Sequence, residues 1–233
     1  MPGRRSLGLE VALCAALLAA CGGGGGGAAP AEFSLQAANA ARLATGYSLD
    51  FVVNEMTNNC TGSATQTAGK PVPATFEGIA AIAVTNTQSL TLANCGTAGT
   101  LGGSATAVDY YDSAFGAIGS TTGGQYGVYQ PLPAMLPDSV RAGDQGSVGT
   151  QTLYTDSSKT TVASRVRYGY AVSADTSTTL AVVLTAQGYD PADNLQFSES
   201  DHYRLGADGR LTLVFADIQY AGANGLHLVL TPR

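Results

Sequence analysis

The sequence predicts an all-β domain: an antiparallel meander folded as a β-sandwich or a curved half-open barrel, with one short N-terminal helix at most. Three observations carry this expectation. From Tyr47 onward, runs of apolar and polar residues alternate with period two. Asp208-Gly209 and Asn224-Gly225 stand between such runs and offer the positive φ angles that tight hairpins require. Trp is absent and small residues abound, which suits closely packed strands on a curved sheet.

Taken in order, Ala31 to Ala44 is the helix candidate. Phe33, Ala37, Ala40, Ala41 and Ala44 recur at helical spacing and Gly46 stands where a helix ends, although an extended lead-in reads almost as well. In the first strand, Tyr47, Leu49, Phe51 and Val53 alternate with Ser48, Asp50, Val52 and Asn54. Further strands are expected at Thr75 to Thr85, Gln88 to Asn94 and Ala105 to Asp112. Gly116 to Gly146 is rich in Gly and Pro and keeps no period, so it reads as a long connection or a seam between two halves. Six strands follow, at 147–155, 161–173, 177–189, 194–205, 210–220 and 225–231. Val166, Tyr168, Tyr170 and Val172, with Leu180, Val182, Leu184 and Ala186, form the inward set, while Arg165 and Arg167 fall on the opposite face.

Before the domain comes an address. Arg4 and Arg5 precede an apolar stretch from Leu7 to Ala20 that is broken only by Glu10, as in a secretory signal peptide. The stretch is too short to span a hydrocarbon core of about 30 Å. It ends in Leu18, Ala19, Ala20, Cys21, which resembles the lipobox of bacterial lipoproteins. The resemblance covers residues 1–21. It implies cleavage before Cys21 and acylation of that cysteine by diacylglycerol and a further chain such as palmitate, hence stable anchoring. Gly22, where Asp would favour retention in the inner membrane, points to the outer membrane, with the domain on the periplasmic face or displayed at the surface.

Residues 21–32 then form the lipidated cysteine and a Gly-rich tether, and 33–233 the β domain, with a possible subdivision near 116–146. Gly22 to Gly27 behave as slack chain, with a relaxed reach somewhat under about 20 Å over the ten or so residues after Cys21. They follow no strand and precede no phosphate-binding Lys, so they are not a nucleotide loop. With Cys14 removed and Cys21 acylated, Cys60 and Cys95 are left to pair as a disulfide in an oxidising compartment.

Removing residues 1–20 takes Arg4, Arg5 and Glu10 from eleven basic and seventeen acidic residues, leaving nine and sixteen and a formal charge of −7. Dispersed acidity disfavours nucleic acid as a partner. The expected partners are the membrane, through the lipid, and an envelope protein, a glycan or an apolar ligand.

No catalytic motif stands out, and no metal site or cofactor is expected. Ser198, Glu199, Ser200, Asp201 and His202 form the densest polar cluster, but strand alternation separates Glu199 and Asp201 from His202. The two carboxylates share the face of Phe197 and Tyr203. That requires a bulge turning them outward, a partner such as Arg165 or Arg167, or an opening to water. His227, between Leu226 and Leu228, should point away from the core. Asp190 with Asp193, and Asp109 with Asp112, offer too few oxygens for calcium and read as turn residues. Tyr110, Tyr111, Tyr126 and Tyr129, with Phe115, are candidates for an aromatic groove.

The resulting expectation is a lipid-anchored binding or envelope-structural domain. Its alternatives are a carrier or sensor holding an apolar ligand in the barrel, recognisable by an internal cavity, and a hydrolase assembled around His202.

Overall fold

The computed structural model describes residues 33–95, 100–221 and 225–233. The proposed signal peptide, Cys21, the glycine run and Asn224 lie outside the described residues. One helix, α1 (Leu35–Thr45), precedes thirteen strands. These are β1 (Tyr47–Glu55), β2 (Thr61–Ala68), β3 (Val72–Phe76), β4 (Ile79–Ala93), β5 (Leu101–Tyr111), β6 (Ala117–Thr122), β7 (Gln125–Gln130), β8 (Gln145–Tyr154), β9 (Val162–Ala174), β10 (Thr179–Tyr189), β11 (Leu195–Gly206), β12 (Leu211–Tyr220) and β13 (His227–Pro232).

The all-β expectation holds, but the sheet is neither a sandwich nor half-open: it closes on itself. From β4 to β13 every strand pairs antiparallel with the next, and β13 returns to β1. β2 then bridges β1 and β4, in register from Thr61 opposite Ala93 to Ala68 opposite Asn86. Twelve strands thereby close into a barrel, and β3 is left as a flap paired with the start of β4. Eight strands make a lumen that side chains just fill, and a barrel of twelve is wider. The breadth of this ring is what leaves room for the cavity described below.

Helix α1 starts where Ser34 Oγ accepts a hydrogen bond from Ala37 N at 3.0 Å, and it stops at Gly46, whose φ of 68° suits glycine. It lies against one end of the barrel. There Phe33, Leu35 and Ala38 pack with Val140, Val172, Val182, Leu205 and Leu211. Residues 131–144 complete this lid, with Phe33 bridged to Val140. At the opposite end Phe51, Val53, Ala64, Leu92 and Leu228 surround the Cys60–Cys95 disulfide, whose Cα atoms are 4.7 Å apart. The bridge ties the β1–β2 connection to the end of β4, as the cysteine count predicts.

Several strand assignments need correction. Thr75 to Thr85 and Gln88 to Asn94 are not two strands: β4 runs through most of both, and Thr75 belongs to β3, ahead of a turn at Glu77-Gly78 with φ of 52° and 75°. β2 and the first half of β3 lie outside the expected strands; in Thr61–Ala68 Gly62, Ala64, Gln66 and Ala68 alternate with Ser and Thr, a contrast too weak to mark two faces. The stretch 116–146 is not wholly irregular, since it holds β6 and β7, joined at Gly123-Gly124. It forms no seam, because β6 pairs with β5 and β7 with β8.

The outer wall is polar at mid-strand. β11 turns Gln196, Ser198, Ser200 and His202 outward, and Thr65 meets Ser89 hydroxyl to hydroxyl at 2.7 Å across β2 and β4. A barrel spanning a bilayer shows the reverse order, an apolar band outside and a polar lumen. This wall is suited to water.

Candidate ligand-binding cavity

The lumen is hollow because its inward positions alternate large with small. On β5 the inward series is Gly103, Ala105, Ala107, Asp109 and Tyr111, and its first three members leave empty space. Facing strands grade from apolar to polar along their length. β4 presents Leu92 and Leu90 near the disulfide, then Gln88 and Asn86 at the middle, while β1 presents Val53, Phe51, Leu49 and Tyr47.

Two chambers result. The first, of about 490 Å³, is walled by Phe51, Leu90, Phe197, Leu213, Ile218, Leu228 and Leu230, with Glu199 and Asp201 in its side. The second, of about 360 Å³, is polar and reaches α1, lined by Asn39, Arg42, Tyr47, Gln66, Asn86, Asp109, Tyr111 and Tyr203. Gln66, Gln88, Ala105 and Asp201 line both, so the chambers share a wall. A smaller recess of about 170 Å³ continues beneath α1 between Tyr111, Tyr129 and Tyr168. An apolar hollow with a few convergent polar groups is the common form of a small-molecule site.

The charges inside are unequally matched. Arg42 projects from α1 into the polar chamber, where its Nη1 donates to the Tyr203 hydroxyl at 2.9 Å. Its guanidinium carbon stands 3.9 Å from the centroid of the Tyr47 ring and 5.2 Å from that of Tyr203. Burial opposes the charge, but Tyr203, Tyr47 and Asp201 more than offset it.

The carboxylates have weaker support. Burial pushes Asp109 up to about 6, only partly countered by Asn86 Nδ2, which donates to it at 2.6 Å. Burial also raises Glu199 and Asp201, and their closeness means that the pair holds a proton above the usual carboxylate range. Asp201 is eased by Arg42, and the Tyr203 hydroxyl lies 3.4 Å from its Oδ2. Burial lifts the Tyr111 and Tyr129 phenols well above their ordinary value and Tyr168 to about 12. These phenols stay neutral donors.

The residues singled out in the sequence separate across the wall. Glu199 and Asp201 face the lumen together; His202 faces outward and stacks on Phe215 at 4.0 Å. A bulge does follow His202, yet it does not turn the carboxylates out. Arg42 eases Asp201 alone and not Glu199, whereas Arg165 and Arg167 lie outside against Asp193. Glu199 and Asp201 therefore do not combine with His202 into a catalytic set; the carboxylate that acts on His202 is Asp217 on the outer face, itself bonded to His227. His227 also lies outside, its Nε2 3.0 Å from Asp217 Oδ2.

The aromatic groove divides in the same way. Tyr111 and Tyr129 line the lumen, while Tyr110 and Tyr126 stack on Phe76 of the β3 flap at 4.6 and 5.0 Å. Of the acidic pairs, Asp109 is internal, whereas Asp112 accepts from the amides of Ala114 and Gly116 in its own turn. Asp190 likewise accepts from Ala192 and Asn194. Among the described residues, no group of three or more His, Cys, Asp or Glu is placed to hold a metal ion.

Arg42, Tyr47 and Tyr203 were the residues missed. One signal for Arg42 was present: it is the only basic residue between Arg5 and Lys70, set in an otherwise uncharged helix. Compared with protein-family models, curated proteins and solved structures, the chain matches none.

Proposed function

We propose that this protein is a lipid-anchored outer-membrane lipoprotein whose barrel binds a small amphipathic molecule in its lumen. The observation that carries the reading is the pair of joined chambers, apolar toward the disulfide and polar toward α1. A polar outer wall around an apolar hollow fits a carrier or sensor bathed in water and held by a lipid. The described chain begins at Phe33, which is bridged to Val140 at the end of the barrel that α1 covers.

The test of binding uses N-phenyl-1-naphthylamine, a neutral apolar fluorophore, on the full-length chain carrying Cys21→Ser, which takes no lipid. Saturable enhancement that is lost in an added Ala216→Trp variant with unchanged circular dichroism supports the reading, since Ala216 lines the apolar chamber. Absence of enhancement, or equal enhancement in both proteins, overturns it. The anchor is tested separately with Cys21→Ala in the producing cell: release from the membrane fraction is expected, and continued firm attachment contradicts lipidation.

A further inference from the structure

The two chambers contain three carboxylates and, among the described residues, a single Lys or Arg. That arginine is already engaged by the Tyr203 hydroxyl, the Tyr47 ring and Asp201. Glu199 receives no hydrogen bond from a basic side chain among the described residues, and its ionisable neighbour on β11 is another acid, Asp201. Both acids stand in the wall of the chamber whose remaining surface is mostly aliphatic and aromatic. A wall of this kind lacks one thing, a cation delivered with an apolar body.

We propose that the lumen is built for a cationic amphiphile, an ammonium or amidinium compound whose apolar part fills the space between Phe51, Ile218 and Leu228 and whose charge meets Glu199 and Asp201. This rests on reading the lumen as a ligand site and adds the chemical class of its occupant. An anionic head group is disfavoured: Arg42 is already shared by the Tyr203 hydroxyl, the Tyr47 ring and Asp201, and Glu199 would lie against a negative charge entering the apolar chamber. A neutral head would leave the acid pair sharing its proton. A cation instead stabilises the ionised pair and expels that proton, and Tyr220, which lines the same chamber, offers a ring close to Glu199.

Binding should consequently strengthen as pH rises. The groups facing Glu199 are Asp201 on its own strand, Tyr168 on β9 and Tyr220 on β12. Asp201 faces Arg42 on α1, Tyr47 on β1 and Tyr203 beside it. The tyrosines remain neutral and Arg42 remains charged; Asp109, raised to about 6, also titrates in the polar chamber, so the part of the pH dependence that belongs to the acid pair is the part that Glu199→Gln removes.

The experiment compares n-octylammonium, n-octanol and n-octanoate by isothermal titration calorimetry on the full-length Cys21→Ser chain, with one tail and three head charges. Octylammonium is expected to bind about tenfold or more tighter than octanoate. Its affinity should rise from about pH 5.5 to about pH 8, with proton release visible as a dependence on buffer ionisation enthalpy. Glu199→Gln should remove most of that preference and leave octanol binding unchanged. Equal or tighter binding of octanoate, or a preference that survives Glu199→Gln, overturns the proposed class while leaving the cavity reading intact. If none of the three binds, both readings fall together.

Discussion

Replacing Glu55 by Gln removes a single charge at the rim of the barrel and should measurably loosen the end that carries the disulfide. Glu55 closes β1 and is 1% exposed. Its Oε1 accepts from Thr57 N at 2.8 Å and, more weakly, from His227 N at 3.5 Å, while Oε2 accepts from Asn58 N at 2.6 Å. Burial raises its pKa, but these backbone donors outweigh burial and hold it below the usual carboxylate range. In Gln one of the two oxygens becomes an amide nitrogen, which must face a backbone N–H. One buried donor then loses its acceptor and the other bond loses its charge, for a cost of about 2–3 kcal/mol.

At this chain length that is a fall of about 5–10 °C in Tm. The sign with pH is fixed by the lowered pKa. A carboxyl whose folded pKa lies below its unfolded value of about 4.3 stabilises the fold above that value and loses the contribution as pH falls through the folded pKa. Urea titrations followed by circular dichroism at about pH 7 and at about pH 3 provide the assay. The gap between wild type and Glu55→Gln should be full at the first and shrink toward the second. A gap under about 0.5 kcal/mol at neutral pH, or one that does not shrink in acid, would refute the reasoning.

Barrel closure makes its own prediction at Gly62. A Cβ there would stand 2.0 Å from the carbonyl oxygen of Thr91, so Gly62→Ala must push β2 from β4 and should cost about 1–3 kcal/mol; an unchanged urea midpoint would mean that this pairing does not hold the ring shut. The disulfide closes a segment with a sequence separation of 35, worth roughly 4 kcal/mol on the chain-entropy account. Reduction should lower the urea midpoint accordingly, and a Cys60→Ser, Cys95→Ser double variant should match the reduced protein and no longer respond to reductant.

Much of the wall was legible from alternation alone. Val166, Tyr168 and Val172, with Leu180 and Val182, lie on the face expected of them, because the two faces of β9 and β10 contrast strongly in the sequence. β2 and β6 were not legible, since Thr61–Ala68 and Ala117–Thr122 are mostly small and hydroxylated residues that suit either face, with Ile118 the one large apolar side chain between them. Their strand state comes from neighbours on both sides. The carboxylates were found as an anomaly, acids on an apolar face. Alternation also separated them from His202 correctly. The arginine offered among the alternatives, Arg165 or Arg167, is near in sequence pattern, whereas the one that reaches Asp201 is Arg42, brought in by a helix 159 positions earlier in the chain.

The sequence by itself determined the local facts: which residues share a side of a strand, where glycines turn the chain, and which two cysteines remain to pair if Cys21 is acylated. Each depends on period, backbone freedom or counting, all of which are properties of short stretches. Only the tertiary structure decided that β2 closes the ring against β4, that α1 covers one end and sends Arg42 inside, and that Tyr110 and Tyr111 part company across the wall. Closure fixes how many strands surround the lumen and so how wide it is, and that width is a property of the whole ring. For the same reason the cavity, and the unmatched acid of Glu199 within it, belongs to no single segment of the chain.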